Sequence, residues 1–174
     1  MMNAPPSRDQ LLRHLRRANA VAQHALAQGH HPFGAILVAA DHLTVLAEQG
    51  NIDTINHAEA ALARLAFAEH SPEVLWGSTL YTTFEPCAMC AGAIYWAHIG
   101  RVVYGASERR LRELTGNHPQ NPTLDLPCRA VFASGQKEIA VIGPIADLDD
   151  ELAQELLAPH RNFWELRTAA SPRL

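Results

Sequence analysis

The spacing of apolar residues predicts a chain of alternating helices and strands. Between Arg8 and Gln28 apolar residues recur every three or four positions, as on one face of a helix, and Gly29 favours its termination. Two β-like runs, 33–39 and 44–49, flank a turn and predict an antiparallel hairpin. Further along, the pattern predicts helices over 57–69, 87–98, 108–114 and 150–157, and strands over 79–84, 101–105 and 138–142.

This order of elements predicts an α/β protein with three layers, α/β/α. Strands separated by helices tend to join one largely parallel sheet through right-handed crossovers, and the hairpin makes the five-stranded sheet mixed. A length of 174 residues suits one domain over 1–174. The proline-rich segment 107–134 has the weakest pattern.

Composition narrows the class of protein. No apolar run approaches the length of a membrane helix and no signal peptide is evident, so we expect a soluble, cytoplasmic protein without a membrane partner. Two of the three cysteines share one Cys-x-x-Cys, which favours a reducing compartment. The net charge of −4 disfavours a broad nucleic-acid surface. The arginines of the first helix then form a solvated face or, less plausibly, a phosphate-binding one.

Two short motifs carry the chemistry, His57-Ala58-Glu59 and Pro86-Cys87-Ala88-Met89-Cys90. Cys87 and Cys90 share one face of a helical first turn, and both thiolates can bind one ion. Residues two apart on a helix point to nearly opposite sides, so His57 must lie at or before its helix start if Glu59 is to face the same metal. His57, Cys87 and Cys90 are therefore the predicted ligands of one Zn²⁺.

Three ligands leave a fourth position for water, which predicts a catalytic zinc. Glu59 is the predicted catalytic proton carrier, since a partly desolvated carboxylate can take the water's proton. A structural zinc site or a redox Cys-x-x-Cys is the alternative. The first lacks an evident fourth ligand, and the second leaves the histidine motif unexplained.

These motifs resemble the cytidine deaminase-like superfamily of zinc deaminases. The resemblance runs from about Pro32 to Gly105, and a core over about 30–106 would be followed by a C-terminal strand, helix and tail over about 136–174. It implies the same zinc ligands and a Glu59 that moves protons from water to the ring and the departing amine. It also implies a homodimer, and substrate contacts from Asn51, the backbone N–H of Ala58, the carbonyl near Glu85, and Phe33.

The substrate is less sharply indicated. The segments Pro32–Ala35 and Gly92–Ala97 resemble bacterial guanine deaminases, which favours a free nucleobase, guanine first, as the small-molecule partner. Ile99–Ala106 resembles tRNA adenosine deaminases, so a tRNA anticodon is the alternative, followed by cytosine, another amino-heterocycle, or a zinc-stabilised module without turnover. Phe163 and Trp164 form a possible lid by the same resemblance, or ordinary core contacts.

Overall fold

Seven helices and five strands make up the described part of the computed structural model, which comprises residues 4–116, 118, 121–161 and 163–164. Two short 3₁₀ turns follow the last strand. The helices and strands are, in chain order, α1 (Arg8–Ala27), β1 (Gly34–Val38), β2 (Val45–Gly50), α2 (Ala58–Glu69), α3 (Pro72–Gly77), β3 (Thr79–Phe84), α4 (Ala88–Trp96), β4 (Arg101–Ala106), α5 (Glu108–Thr115), α6 (Cys128–Ala133), β5 (Ala140–Ile142) and α7 (Asp150–Leu157).

The five strands form one mixed sheet in the order β2-β1-β3-β4-β5. β1 runs antiparallel to both β2 and β3, whereas β4 runs parallel to both β3 and β5. The predicted hairpin is confirmed, and its turn is stabilised by Asp41, which accepts hydrogen bonds from the backbone of Leu43 and Thr44. α3 and α6 had not been predicted.

Helices cover both faces of the sheet, which confirms the three-layer arrangement. One apolar core includes residues of α2, α4 and α6, such as Leu62, Ile94 and Phe132. The other core includes residues of α1, α5 and α7, such as Leu15 and Leu152. The three central strands, β1, β3 and β4, are buried on both faces, as expected in such a sheet.

α1 packs unusually close to the sheet. Its N terminus has a capping box between Ser7 and Gln10, and the chain leaves the helix through Gly29 with φ +85°. A Cβ built on Gly34 of β1 would lie 2.4 Å from the backbone oxygen of Ala18, so only glycine allows this approach.

The sheet brings several chain segments to one edge. Phe84 of β3 pairs with Ala106 of β4, so these parallel strands end side by side. α4 and α5 begin within a few residues of those ends, and carboxyl ends of parallel strands are the usual place for a site in such sheets. Across the described residues, no helix combines the length and apolar character needed to cross a membrane.

Candidate active site

His57, Cys87 and Cys90 meet at the starts of two helices. His57 is the N-cap of α2 and Cys87 the N-cap of α4, yet neither side chain caps its helix by a hydrogen bond. The imidazole and the thiol are thus free to turn toward a common point, joined there by Cys90 from the first turn of α4. The prediction that His57 precedes its helix is confirmed.

The spacing of these three donor atoms fits one zinc ion. Nδ1 of His57 lies 3.7 Å from Sγ of Cys87 and 3.6 Å from Sγ of Cys90, and the two sulfurs are 3.6 Å apart. Tetrahedral bonds of about 2.3 Å to sulfur and about 2.0 Å to nitrogen separate the donor atoms by roughly 3.5 to 3.8 Å. The three residues therefore could hold one metal ion.

The charge environment favours ionised sulfur. A hydrogen bond with the Cys90 thiol is the main cause that lowers the pKa of Cys87 to about 4, and a hydrogen bond with His57 adds to it. The Cys87 thiolate and burial raise the pKa of Cys90. The N-terminal dipoles of α2 and α4 add partial positive charge at the same point. One thiolate is thus already favoured, and a bound cation would favour ionisation of the second.

Glu59 lies buried beside this cluster, on the first turn of α2. Its Oε1 accepts a 2.6 Å hydrogen bond from the hydroxyl of Thr82 in β3, and its Oε2 lies 3.4 Å from Sγ of Cys90. Burial is the main cause that raises the pKa of Glu59 above the ordinary range of a glutamate. A carboxyl group of this kind is suited to both accepting and releasing a proton near neutral pH.

A small pocket opens onto these groups. Its volume is about 30 Å³, and its walls include Phe33, which ends the loop before β1, and Glu85, which follows β3. Ala58 is buried at the first position of α2, between His57 and Glu59. The full set of lining residues is Phe33, His57, Glu59, Phe84, Glu85, Cys87, Glu108, Leu111 and Asn121.

Asn51 does not line this pocket. It is buried, its backbone N–H donates to the carbonyl of Phe33, and its Nδ2 donates to the carbonyl of Asp53. Its Oδ1 has no hydrogen-bond partner in the described structure, and it lines a separate cavity of about 540 Å³ between α1 and β2. A base-binding role for Asn51 therefore stays a prediction.

Trp164 and Phe163 lie behind the pocket wall. The buried Trp164 donates from Nε1 to Nδ1 of His160 at 3.3 Å, and the ring of Phe163 meets that of Trp164 at 4.8 Å. The His160 ring in turn lies 5.0 Å from Phe33 and 4.7 Å from Phe84, both of which line the pocket. The contact is made within one chain, and the lid hypothesis stays a prediction. The tail after Trp164 lies outside the described residues.

Sequence reasoning missed the contribution of the segment 107–134. The Glu85 carboxylate accepts from the backbone N–H of Cys128 at 3.0 Å and of Glu108 at 3.4 Å, so it ties the starts of α5 and α6 to the end of β3. α5 supplies Glu108 and Leu111 to the pocket. Burial, followed by the negative charges of Cys87 and Glu59, raises the pKa of Glu108 to about 8. The parallel pairing of β3 and β4 was the signal that could have pointed to Glu108.

Comparison with known proteins agrees with this site. Residues 8–106 match the family model of the cytidine and deoxycytidylate deaminase zinc-binding region. A probable cytosine deaminase of Schizosaccharomyces pombe is 34% identical over 157 residues, covering 88% of this chain and 92% of the relative. A tRNA-specific adenosine deaminase of Bacillus subtilis is 32% identical over 167 residues, covering 87% of this chain and 96% of the relative.

The fold is shared with solved deaminase structures. A guanine deaminase from Nitrosomonas europaea superposes with a TM-score of 0.67 at 20% identity, over 92% of this chain and 96% of that one. At this identity the similarity speaks for the fold alone. Together with the family match and the His57, Cys87 and Cys90 cluster, it leads to one conclusion: the chain belongs to the cytidine and deoxycytidylate deaminase family of zinc-binding hydrolytic deaminases.

Proposed function

We propose that this protein hydrolyses the exocyclic amine of a free nucleobase, releasing ammonia and leaving a carbonyl in its place. One observation carries the proposal: the buried carboxyl of Glu59 lines one small pocket with aromatic walls together with His57 and Cys87, two members of the three-residue group that could hold a metal ion. A concave site in which aromatic side chains meet convergent polar groups is typical of small-ligand binding.

The reaction adds water at the amine-bearing carbon and expels ammonia, so a C–O bond forms and the C–N bond breaks. Zinc, when bound by His57, Cys87 and Cys90, supplies Lewis acidity that activates the water. Glu59 takes one proton from the attacking water and passes it to a ring nitrogen. It then takes the remaining proton of the added hydroxyl group and delivers it to the amine, which leaves as ammonia while the carbonyl forms. The hydroxyl of Thr82 orients Glu59 through the bond to Oε1.

The contacts around the base are assigned to the pocket walls. The ring of Phe33 is held edge-to-face against Phe84 at 5.7 Å, which gives the slot a rigid apolar side. The backbone N–H of Ala58 and the carbonyl near Glu85 lie next to the motif residues and are the proposed partners of the base's polar edge. Asn51 would join them only if its side chain turned toward the pocket.

A free base suits this site better than a tRNA anticodon. RNA recognition calls for a positively charged surface around the reacting nucleotide, whereas two further carboxyl residues, Glu85 and Glu108, line this pocket. Three of the four arginines of α1 also form ion pairs: Arg8 with Asp149, Arg16 with Glu155, and Arg17 with Glu48. This supports the interpretation of these arginines as part of a solvent-exposed face of α1 and not a phosphate-binding one.

Two observations favour cytosine over guanine. The pocket is narrow, and a one-ring base requires less rearrangement of its walls than a purine. In addition, the S. pombe relative that aligns over most of the chain is a probable cytosine deaminase. Guanine, which the local motifs favoured, is the second candidate.

Ammonia release distinguishes these candidates. Zinc-loaded protein would be incubated side by side with cytosine, guanine, adenine, their nucleosides and an anticodon stem-loop, with Glu59→Gln protein as the control. We expect turnover of cytosine, weaker or no turnover of guanine, and none of the nucleosides or RNA. Turnover of the stem-loop alone would replace the proposal with tRNA adenosine deamination.

We further expect a homodimer in the cytoplasm. Several large apolar side chains on α2, α3, α4 and the loop before α2 are exposed, among them Phe67, Ile55 and Trp96. Exposed apolar groups of this size are typical of an interface. Sedimentation of the zinc-loaded protein at micromolar concentration should give twice the mass of the chain.

A further inference from the structure

Glu108 contributes a carboxyl group to the wall of the pocket that α5 forms. It is the first residue of α5, it is only 8% exposed, and it lines the pocket together with Glu59 and His57. Its carboxyl group accepts no hydrogen bond from any residue in the ranges that the structure covers. The carboxyl groups of Glu59 and Glu85, by contrast, are both satisfied, by Thr82 and by backbone N–H groups.

The backbone of Glu108 is fixed although its carboxyl is not. Its N–H donates to the Glu85 carboxylate, and the preceding Ser107 caps α5 by accepting from the N–H of Arg110 at 3.1 Å. A carboxyl group that lines the pocket on a fixed backbone is suited to a donor that arrives with the ligand.

The chemistry of the bases suggests which donor this is. The exocyclic amine must face Glu59 and the zinc donors, because that amine is lost. The other N–H group that a free pyrimidine or purine presents, and that its nucleoside lacks, is on the ring nitrogen that carries ribose in the nucleoside. A carboxyl group offers an oxygen that accepts an N–H of this type in either protonation state.

We infer that Glu108 accepts a hydrogen bond from this ring N–H and thereby selects free bases over nucleosides. The inference rests on the proposed function and adds to it a specificity-determining residue. A nucleoside, or a base methylated at the same nitrogen, loses the donor and places a carbon group against the carboxyl. A site built to hydrogen-bond a substrate N–H discriminates strongly against analogues that lack it.

Binding to a variant without turnover tests the inference separately from catalysis. In zinc-loaded Glu59→Gln protein, calorimetry would give Kd for cytosine and for 1-methylcytosine. We expect cytosine to bind at least about tenfold more tightly, which corresponds to one hydrogen bond of about 1.4 kcal/mol. Adding Glu108→Leu should bring the ratio of Kd for 1-methylcytosine to Kd for cytosine close to one. Adding Glu108→Gln, whose amide oxygen still accepts a hydrogen bond, should keep part of the preference for cytosine.

Glu113→Leu is the matched control, because Glu113 lies on the same helix but is exposed and pairs with Arg110. It should leave the ratio unchanged, and zinc content and melting temperature would be measured for every variant. A ratio near one before any change at Glu108, or a ratio that survives Glu108→Leu, would overturn the inference.

The two proposals fail in different ways. Turnover of cytosine by the unmodified enzyme with equal turnover of 1-methylcytosine would overturn the role of Glu108 and leave the proposed function standing. Absence of turnover for every free base would overturn the proposed function. If guanine is the base turned over, the pair of ligands becomes guanine and 9-methylguanine.

Discussion

The hydroxyl of Thr82 donates a 2.6 Å hydrogen bond to Oε1 of Glu59, from the central strand β3 to the first turn of α2. Both residues are buried, so this bond is shielded from water. It leaves Oε2 directed toward the zinc donors, 3.4 Å from Sγ of Cys90. The carboxyl that the chemistry needs is thus oriented by a residue outside both sequence motifs.

Thr82→Val keeps the shape of the side chain and removes this bond. A hydrogen bond to an ionised group contributes about 1.5–3 kcal/mol, so we expect kcat to fall by roughly 10- to 100-fold. KM should change little, because Thr82 does not line the pocket. Thr82→Ser is the control and should keep most of the activity. Equal kcat for the valine and serine variants would contradict this role.

Glu59→Gln separates proton transfer from metal binding. The amide is close in size to the carboxyl but cannot accept and release the proton, so turnover should be abolished. The zinc content should stay near one ion per chain, since the donors are His57, Cys87 and Cys90. Metal analysis and ammonia release check the two statements. As a control, Cys90→Ser should lose zinc and turnover together.

Glu85→Gln tests whether one carboxylate organises the segment 107–134. Glutamine retains one acceptor oxygen, so one of the bonds to the N–H groups of Cys128 and Glu108 is lost. We expect a loss of about 1–3 kcal/mol in the free energy of unfolding. Hydrogen exchange should accelerate in α5 and α6 more than in α1. Uniform acceleration across the whole chain would contradict a local role.

Gly34→Ala tests the close approach of α1 to the sheet. The added methyl group would lie 2.4 Å from the oxygen of Ala18 and 2.5 Å from the nitrogen of Ala22, so backbone must move. We expect a destabilisation of about 1–3 kcal/mol in denaturant unfolding. Gly92→Ala is the matched control. Gly92 lies within α4 and its Cβ would meet open space, so the free energy of unfolding should rise by about 1 kcal/mol.

His160 links stability to pH. Burial lowers the pKa of His160 to about 3 in the folded protein, from about 6.5 in the unfolded chain. Below pH 6.5 the unfolded chain binds a proton at His160 that the folded chain does not. The contribution of this residue to the free energy of unfolding is therefore fully present above pH 6.5 and falls as the pH drops toward 3. The slope from this group is at most about 1.4 kcal/mol per pH unit.

Replacing this histidine removes its contribution. His160→Gln should flatten the decline in unfolding free energy between pH 6.5 and 5, measured by urea titrations. Part of the slope should remain, because burial also lowers the pKa of His14. His24→Gln, at an exposed position of α1, should leave the slope as it is. An unchanged slope in His160→Gln would contradict the assignment.

Local pattern was sufficient for the parts of the fold that depend on neighbours in sequence. The two-residue spacing of His57 and Glu59 required the histidine to precede its helix, and it is the N-cap of α2. The turn at Asp41 and His42 joins the predicted hairpin strands, which are also observed. The types and spacing of His57, Cys87 and Cys90 predicted one metal site, and the structure brings their donor atoms together.

Contacts between residues far apart in sequence could not be predicted from the local pattern of apolar residues. α6 has six residues, too few for a helical period, and its start is held by Glu85, 43 residues earlier. Glu108 and His160 reach the pocket region only because β4 and the chain after α7 return to the same sheet edge. The antiparallel pairing of β1 with β3 likewise joins residues far apart in sequence, such as Ala35 and Thr82, which no local signal records.

The placement of His57 and Cys87 at the N-caps of two helices that pack against each other couples zinc supply to the stability of the fold. An ion shared between those positions fastens α2 to α4, so its binding energy adds to the folding free energy. Zinc depletion would therefore affect more than enzymatic activity. It would also lower the folding free energy and make the protein more readily degraded, so the abundance of the protein would follow the availability of the metal.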